Sequence, residues 1–237
     1  MTGFSNSEEQ AVGLSEVYLK YQGLPNEFGY RYQVKAGLFY PEISVDNQAT
    51  AWSSPNTLNF STINTWVGEE LRHTGVQFQV TRLGKFFQSH SDVTANVTFF
   101  SNNDTAGAML SWHGWTASNR QTLLQEKLSV QAFPARITGM LVEQAAQSDP
   151  FIELDDRLGM QVNVKWRYKG NGQILAGFYH NNADTRVVID GQYAWLTKFS
   201  YLGGQWKLTP KVKLLSQFMQ GYTRMNAPTG MVVVEND

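Results

Sequence analysis

The sequence predicts an all-β fold of antiparallel strands that each have one apolar and one polar face. In residues 159–168, G-M-Q-V-N-V-K-W-R-Y, apolar and polar side chains alternate. Because side chains on a strand point to opposite faces in turn, this segment has one apolar face and one face with amides and two cations. The chain has 16% charged and 13% aromatic residues, yet its mean hydropathy is −0.34. These observations favour an antiparallel transmembrane β-barrel, with roughly 9–11 strands visible in the sequence.

The composition excludes several classes of protein. No segment approaches the roughly 18 uncharged apolar residues of a transmembrane helix. A net charge of −1 gives no basic surface, so no nucleic-acid partner is expected. The absence of cysteine excludes a disulfide scaffold and a thiolate metal site. Met1 is followed by polar residues, so no export signal is recognised; either the protein is cytoplasmic or the sequence begins after its signal.

Eight segments alternate strongly enough to be predicted as strands, a further strand is predicted over residues 106–115 after a tight turn at residues 101–104, and residues 128–133 could be another. Short turns follow two of the later strands, at residues 169–172 and 209–211, whereas longer polar connections precede residue 159 and follow residue 180. Transmembrane barrels alternate short turns with longer loops in this way. The alternation changes near residues 203–204, where two glycines suggest a bulge. The eight strongly alternating segments are residues 14–21, 29–39, 75–81, 93–100, 159–168, 173–179, 192–208 and 212–224.

The alternation is lost between Pro41 and about residue 70. Serine, asparagine, threonine and proline are frequent there, and residues 61–71 could form a short helix with Ser61 as its N-cap. A long segment without regular structure inside a compact domain is usually a functional loop. We therefore expect a constriction or ligand loop in this segment, and a second long excursion over residues 117–157. The candidate constriction-loop residues are Trp52, Glu69 and Glu70.

Four segments resemble porin-like outer-membrane proteins of Gram-negative bacteria. Residues 35–44, K-A-G-L-F-Y-P-E-I-S, are similar to a strand end of phosphate-selective-type porins, in which a glycine, an aromatic residue and a proline close a strand lined with cations. Residues 63–72, 150–159 and 190–195 resemble further segments of such proteins. The resemblance covers about residues 14–225. It implies an antiparallel barrel in the lipid bilayer of the cell outer membrane, with a homotrimer as an assembly to test.

We expect a single domain over residues 1–237 that is a piece of a longer barrel. The sequence contains no linker and no shift in composition. Proteins of the resembled type normally end in a strand with a terminal aromatic residue, whereas this sequence ends V-V-V-E-N-D. A third alternative, beside the barrel and a soluble sandwich, is that such a piece never folds independently, because an open barrel leaves two strand edges unpaired and its lipid face in water.

Polar side chains on the strands would line the pore of such a barrel. Rings of lysine or arginine give a pore a positive potential that favours anions. Alternatively, these cations pair with carboxylates such as Glu16, Glu69, Glu70, Asp155 or Asp156 and fill the interior. We expect passive diffusion of small polar or anionic solutes, without enzyme activity and without a cofactor. The candidate pore-lining residues are Arg31, Gln33, Lys35, Arg72, Lys165, Arg167 and Lys198.

No catalytic or metal site is expected from the sequence. The four histidines at positions 73, 90, 113 and 180 lack the spacing of a metal-binding pair. Glu153, Asp155 and Asp156 resemble the clustered acids of a glycoside hydrolase. They lie at a junction between a loop and a strand, however, where acidic side chains are usually solvated. No nucleophile elbow, P-loop or dinucleotide-binding motif is present.

A soluble β-sandwich that binds carbohydrate is the main alternative. Its stacking platforms would be Trp52, Trp66, Trp112 and Trp115. In a sandwich the apolar strand faces lie in the protein interior, whereas in a barrel they contact lipid and aromatic residues gather near strand ends. Trp166, Tyr168 and Trp195 lie near the ends of predicted strands, which favours the barrel.

Overall fold

The structure is a computed structural model that describes residues 13–226 and 232–236. This part of the chain contains one sheet of nine strands, two small sheets of two strands each and three short helices. The strands are β1 (Val17–Gln22), β2 (Tyr30–Phe39), β3 (His73–Arg82), β4 (Ser91–Ser101), β5 (Leu128–Ser129), β6 (Gln147–Ser148), β7 (Gly159–Tyr168), β8 (Gly172–His180), β9 (Val188–Ile189), β10 (Gln192–Tyr193), β11 (Leu196–Lys207), β12 (Lys213–Asn226) and β13 (Val232–Asn236). The helices are α1 (Thr62–Glu70), α2 (Ala108–His113) and α3 (Pro134–Thr138), and 3-10 turns occupy Thr50–Trp52 and Gly84–Phe87.

The large sheet has the order β1-β2-β3-β4-β7-β8-β11-β12-β13, and every neighbouring pair is antiparallel. The predicted all-β antiparallel class is therefore confirmed. β1 and β13 are the edges, and no pairing joins them within the described ranges, so the sheet is open. In the same part of the chain, none of the helices has the length and apolar character needed to cross a bilayer.

The eight strongly alternating segments correspond to the eight long strands from β1 to β12, whereas the strand predicted over residues 106–115 is wrong, because residues 108–113 form α2. The agreement is closest for β7, whose bounds match the prediction. The bulge expected at Gly203 and Gly204 is wrong, because β11 pairs with β12 in continuous register through both glycines. Gly203 instead makes room for packing. A Cβ at this position would lie 2.9 Å from a methyl group of Val45, so the missing side chain lets the segment that contains Val45 pack against the sheet.

Connections between the sheet strands alternate between short and long from β1 to β12. Residues 23–29, 83–90, 169–171 and 208–212 are turns at one end, here called the short-turn end. Residues 40–72, 102–158 and 181–195 are the connections at the opposite, long-loop end. The sequence indicated this alternation only for the later strands.

The two faces of the sheet have the reverse of the usual polarity of a soluble protein. Val164 and Leu202, on what we call the outer face, are 49% and 51% exposed. Gln77 and Gln161, on the inner face, are 1% and 0% exposed. Soluble proteins bury apolar side chains and expose amides, whereas at these positions the sheet buries amides and exposes apolar side chains.

The apolar core lies on the inner face, between the sheet and residues 40–72, which we call the interior segment. Trp66, Val67 and Leu71 of this segment pack with Phe100 and Phe199 of the sheet. Helix α1 begins where the sequence predicted, since the Ser61 hydroxyl accepts a hydrogen bond from the Asn64 N–H (3.2 Å). The interior segment is therefore packed into the fold.

Candidate functional site

Polar side chains form continuous rows across the inner face. The register places Gln33, Gln79, Asn96 and Asn163 side by side on β2, β3, β4 and β7. A second row, from Lys35 through Gln77 and Thr98 to Gln161, lies beside it. Strict alternation on each strand produces these rows, because antiparallel pairing aligns residues of the same parity.

The interior segment is attached to this polar face through its backbone. The carbonyl oxygen of Glu42 accepts hydrogen bonds from Gln161 Nε2 (3.3 Å), Asn163 Nδ2 (3.2 Å) and the Tyr201 hydroxyl (2.9 Å). The carbonyl of Val45 accepts from Gln173 Nε2 (3.3 Å). These bonds reach side chains of β7, β8 and β11, so the segment lies across several strands.

A charged cavity of about 280 Å³ lies between the start of the interior segment and the sheet; we call it the lysine cavity. Lys35, Lys165, Glu42 and Glu16 are among its lining residues, and so is Trp52. The distance between Lys165 Nζ and Glu42 Oε2 is 3.6 Å. Of the residues predicted from the sequence, two pore-lining lysines and one constriction-loop tryptophan therefore meet at one cavity.

Lys35 has a different environment from Lys165. Its ammonium group lies 4.0 Å from the ring centroid of Tyr18 and 4.3 Å from that of Phe39, which is cation–π geometry. In the described residues, neither Lys35 nor Arg31 has a carboxylate within ion-pairing distance. Gln33 lies on the same face between them and is buried. This strand therefore contributes positive charge to the inner face.

Arg167 also lies on the inner face but is neutralised. Its Nη2 is 2.7 Å from Asp92 Oδ2, and Lys169 Nζ is 3.3 Å from Asp92 Oδ1. Of the predicted pore-lining residues, Lys165 thus pairs with Glu42, and Arg167 pairs with Asp92, which it shares with Lys169. Neither carboxylate is among the pairing partners expected from the sequence, because cross-strand neighbours depend on a register that the sequence does not specify.

The assignment of Arg72 as pore-lining is wrong. The side chain is 1% exposed, and its guanidinium carbon lies 3.4 Å from the Tyr40 ring centroid. Arg72 Nη2 donates to the carbonyl of Thr122 (2.9 Å), and Nη1 donates to the carbonyl of Ser15. This residue precedes β3 and joins three segments, so its charge is used inside the protein.

The assignment of Lys198 to the pore is also wrong, because Lys198 lies on the outer face. It is paired with His180 in the register, and its Nζ lies 5.4 Å from the Phe178 ring centroid. Phe199, the next residue of β11, points inward and packs against Trp66, with ring centroids 5.4 Å apart. Large side chains lie on both faces of β11 near Lys198, so the polarity of Lys198 does not identify the face on which it lies.

Glu70 does not face the cavity. Its carboxylate is fully buried and accepts hydrogen bonds from Trp66 Nε1 (2.6 Å) and from the backbone N–H of Met109 (2.9 Å) at the start of α2. Burial raises the pKa of Glu70 to about 7, although these hydrogen bonds act in the opposite direction. Glu69 is largely buried, 3.8 Å from His113 Nε2, and burial raises its pKa too. Both residues connect α1 to α2, and neither is an exposed constriction residue.

Four tryptophans were candidates for carbohydrate stacking, and the structure does not bring them together on a surface. Trp52 and Trp66 are buried in the core. Trp112 packs edge-on against Trp195, with centroids 5.3 Å apart. Trp115 is 51% exposed and contacts the edge of Trp66. One exposed ring does not make a platform for a sugar chain.

Comparisons of the chain with protein families, with curated proteins and with solved structures found no match.

Proposed function

We propose that this chain belongs to a porin-like channel of the Gram-negative outer membrane, through which small polar or anionic solutes diffuse passively. The supporting observation is the reversed polarity of the sheet. Its exposed apolar face would be costly in water but is solvated well by hydrocarbon. Its polar inner face would then line an aqueous interior.

Strand length and aromatic placement support the same proposal. A transmembrane strand needs about 9–11 residues when tilted, and β2, β3 and β7 have 10 residues each. On the outer face at the short-turn end, Trp166 stacks with Trp206 at 6.0 Å and Tyr168 lies 6.2 Å from the same ring. Aromatic residues gather in this way at a membrane–water interface.

Closure of the sheet into a barrel is part of this proposal. An open edge in hydrocarbon leaves N–H and C=O groups without partners, which is strongly unfavourable. The strands that close the barrel would therefore come from outside the described residues, either from more of the protein or from other copies of the chain.

The interior segment and the lysine cavity support a selective passage. Lys35 and Arg31 give the inner face positive charge without an ion-paired carboxylate in the described residues, whereas Lys165 is opposed by Glu42. A weak preference for anions follows, because only part of the positive charge is neutralised. The sandwich alternative receives less support, since no second sheet covers the outer face of the described strands.

Conductance in planar lipid bilayers tests this function. We expect the chain, refolded in detergent, to give discrete current steps and a reversal potential on the anion-selective side in a salt gradient. Lys35→Gln combined with Lys165→Gln should shift the reversal potential towards cations. Lys211→Gln, in an exposed turn, is the matched control and should leave it unchanged. A monodisperse protein that is folded without detergent and carries no current would refute the proposal.

A further inference from the structure

Three carboxylates meet where the two ends of the long connection between β4 and β7 lie side by side, a place that we call the neck. Asp104 follows β4 directly, while Glu153 and Asp155 lie shortly before β7. One oxygen of each residue lies within 4.8 Å of the others. Because β4 and β7 are paired neighbours, the two ends of this long connection are held side by side.

Two of the oxygens in this cluster have no hydrogen-bond donor. Asp104 is fully buried, and its Oδ2 accepts from the Leu154 N–H (2.6 Å), but its Oδ1 has no partner in the described part of the chain. Glu153 Oε1 is likewise shielded from solvent and without a donor among these residues. Buried polar atoms are nearly always satisfied, so these two oxygens indicate either a proton shared between the two carboxyl groups or a bound cation.

The local charge is not balanced by the protein either. Among the ion pairs of the described residues, Arg157 is the cation that reaches this cluster: its Nε is 4.0 Å from Asp155 Oδ2, and its Nη2 is 2.9 Å from Asp184 Oδ2. A carboxylate cluster of this kind is stabilised either by a proton or by a metal ion.

We propose that Asp104, Glu153 and Asp155 bind a calcium ion that clamps the two ends of residues 102–158 together. Ca²⁺ takes carboxylate oxygens at about 2.3–2.6 Å. Oxygens on opposite sides of one Ca²⁺ are therefore separated by up to about 5 Å, which accommodates the observed spacing, whereas Mg²⁺ requires shorter and more regular contacts. The sequence predicts no metal site, because its histidines lack metal-pair spacing, cysteine is absent, and Glu153 and Asp155 lie where acidic side chains are usually solvated.

A shared proton is the competing explanation. A proton held between Asp104 and Glu153 would satisfy both oxygens, since one would donate to the other, but it would not contact Asp155. A divalent cation contacts all three groups at once. The contacts at the neck are the same whether or not the outer face contacts lipid.

Calcium titration by calorimetry tests the site, using the full chain in whichever of detergent micelles or buffer keeps it folded. We expect saturable binding of one Ca²⁺ per chain, with a Kd in the range of about 10⁻⁵–10⁻³ M, and weaker binding of Mg²⁺. Glu153→Gln and Asp104→Asn should each weaken Ca²⁺ binding at least about tenfold, since each removes a charged ligand. Asp156→Asn is the matched control: this exposed neighbour lies outside the cluster, and Asn tolerates its left-handed backbone.

Thermal unfolding with Ca²⁺ or with a chelator supplies the second measurement. Ca²⁺ should raise the unfolding temperature of the wild type and of Asp156→Asn, and not that of Glu153→Gln. No saturable binding at about 10 mM Ca²⁺, well above the weakest sites of this type, would overturn the proposal. A Glu153→Gln variant that binds Ca²⁺ as tightly as the wild type would also overturn it. So would a Glu153→Gln variant that is more stable than the wild type when Ca²⁺ has no effect on the stability of either protein, because that is the result expected for a shared proton. Should Asp104→Asn fail to fold, Glu153→Gln decides.

Discussion

Glu70 is a carboxylate held in the interior by hydrogen bonds from neutral groups. Trp66 donates to it from the same helix, and the first turn of α2 donates backbone N–H groups, including those of Met109 and Leu110. The residue therefore fixes α2, at the long-loop end, to the interior segment. Its cost is desolvation, which is the main cause of its raised pKa.

We expect Glu70→Gln to reduce the dependence of stability on pH. The pKa of Glu70 is raised from 4.5 to about 7, so the folded state keeps a proton that the unfolded state has released. Its contribution to stability is therefore complete below about pH 4.5 and is lost as pH rises towards about 7, by an amount on the order of 3 kcal/mol. Denaturant unfolding at several pH values should show a flatter curve for the variant.

The same substitution should lower stability near neutral pH by about 1–3 kcal/mol, because the new amide N–H₂ faces N–H donors. Glu27→Gln, at an exposed turn, is the control and should leave both the curve and the stability unchanged. An unaltered pH dependence in Glu70→Gln would mean that other groups, such as Asp104, produce it.

At the scale of elements, the outer face of β11 offers a direct measurement of its surroundings. Leu202 is half exposed on a strand whose inner face is covered by the interior segment. Leu202→Lys should destabilise the protein in lipid vesicles by about 2–4 kcal/mol, because lysine at the middle of a bilayer loses its hydration. On a face in contact with water, the same change would usually stay within about 0.5 kcal/mol.

Leu208→Lys provides the comparison, since Leu208 is also exposed but lies in the turn after β11. Unfolding by urea in vesicles should show a large difference between the two variants. Equal effects would place the outer face in water and would remove the main support for a membrane location.

The strands could be predicted from the sequence because each one alternates residue by residue along most of its length. Helix α1 could be predicted because Ser61 is a local capping signal. Lys198 could not be placed correctly, since its face is decided by the contact of Phe199 with Trp66, which is distant in sequence. Asp104 was missed for the same reason: its partners lie at the far end of a long connection, and nothing near Asp104 in the sequence indicates them.

At the scale of the whole molecule, the two edges of the sheet determine how the chain associates. β1 is exposed along its full length and pairs on one side only. Unpaired strand edges are sites for pairing with another chain. We therefore expect this chain to form particles of more than one copy in detergent, as multiples of 26.8 kDa.

Light scattering that separates protein mass from detergent mass measures this directly, and a threefold mass would support the homotrimer suggested by the resemblance. Repeating the measurement over a range of protein concentrations controls for random aggregation, which gives no fixed multiple. A stable particle of a single chain would contradict the expectation that the edges pair between copies.

The strand order of the large sheet follows the order of the chain, and this has a consequence for how the protein folds. Each strand docks beside the one that precedes it, so the sheet can grow one hairpin at a time and early intermediates need no distant partner. The slow step should be the arrival of β7 at β4, because the long connection of residues 102–158 must first bring its ends together.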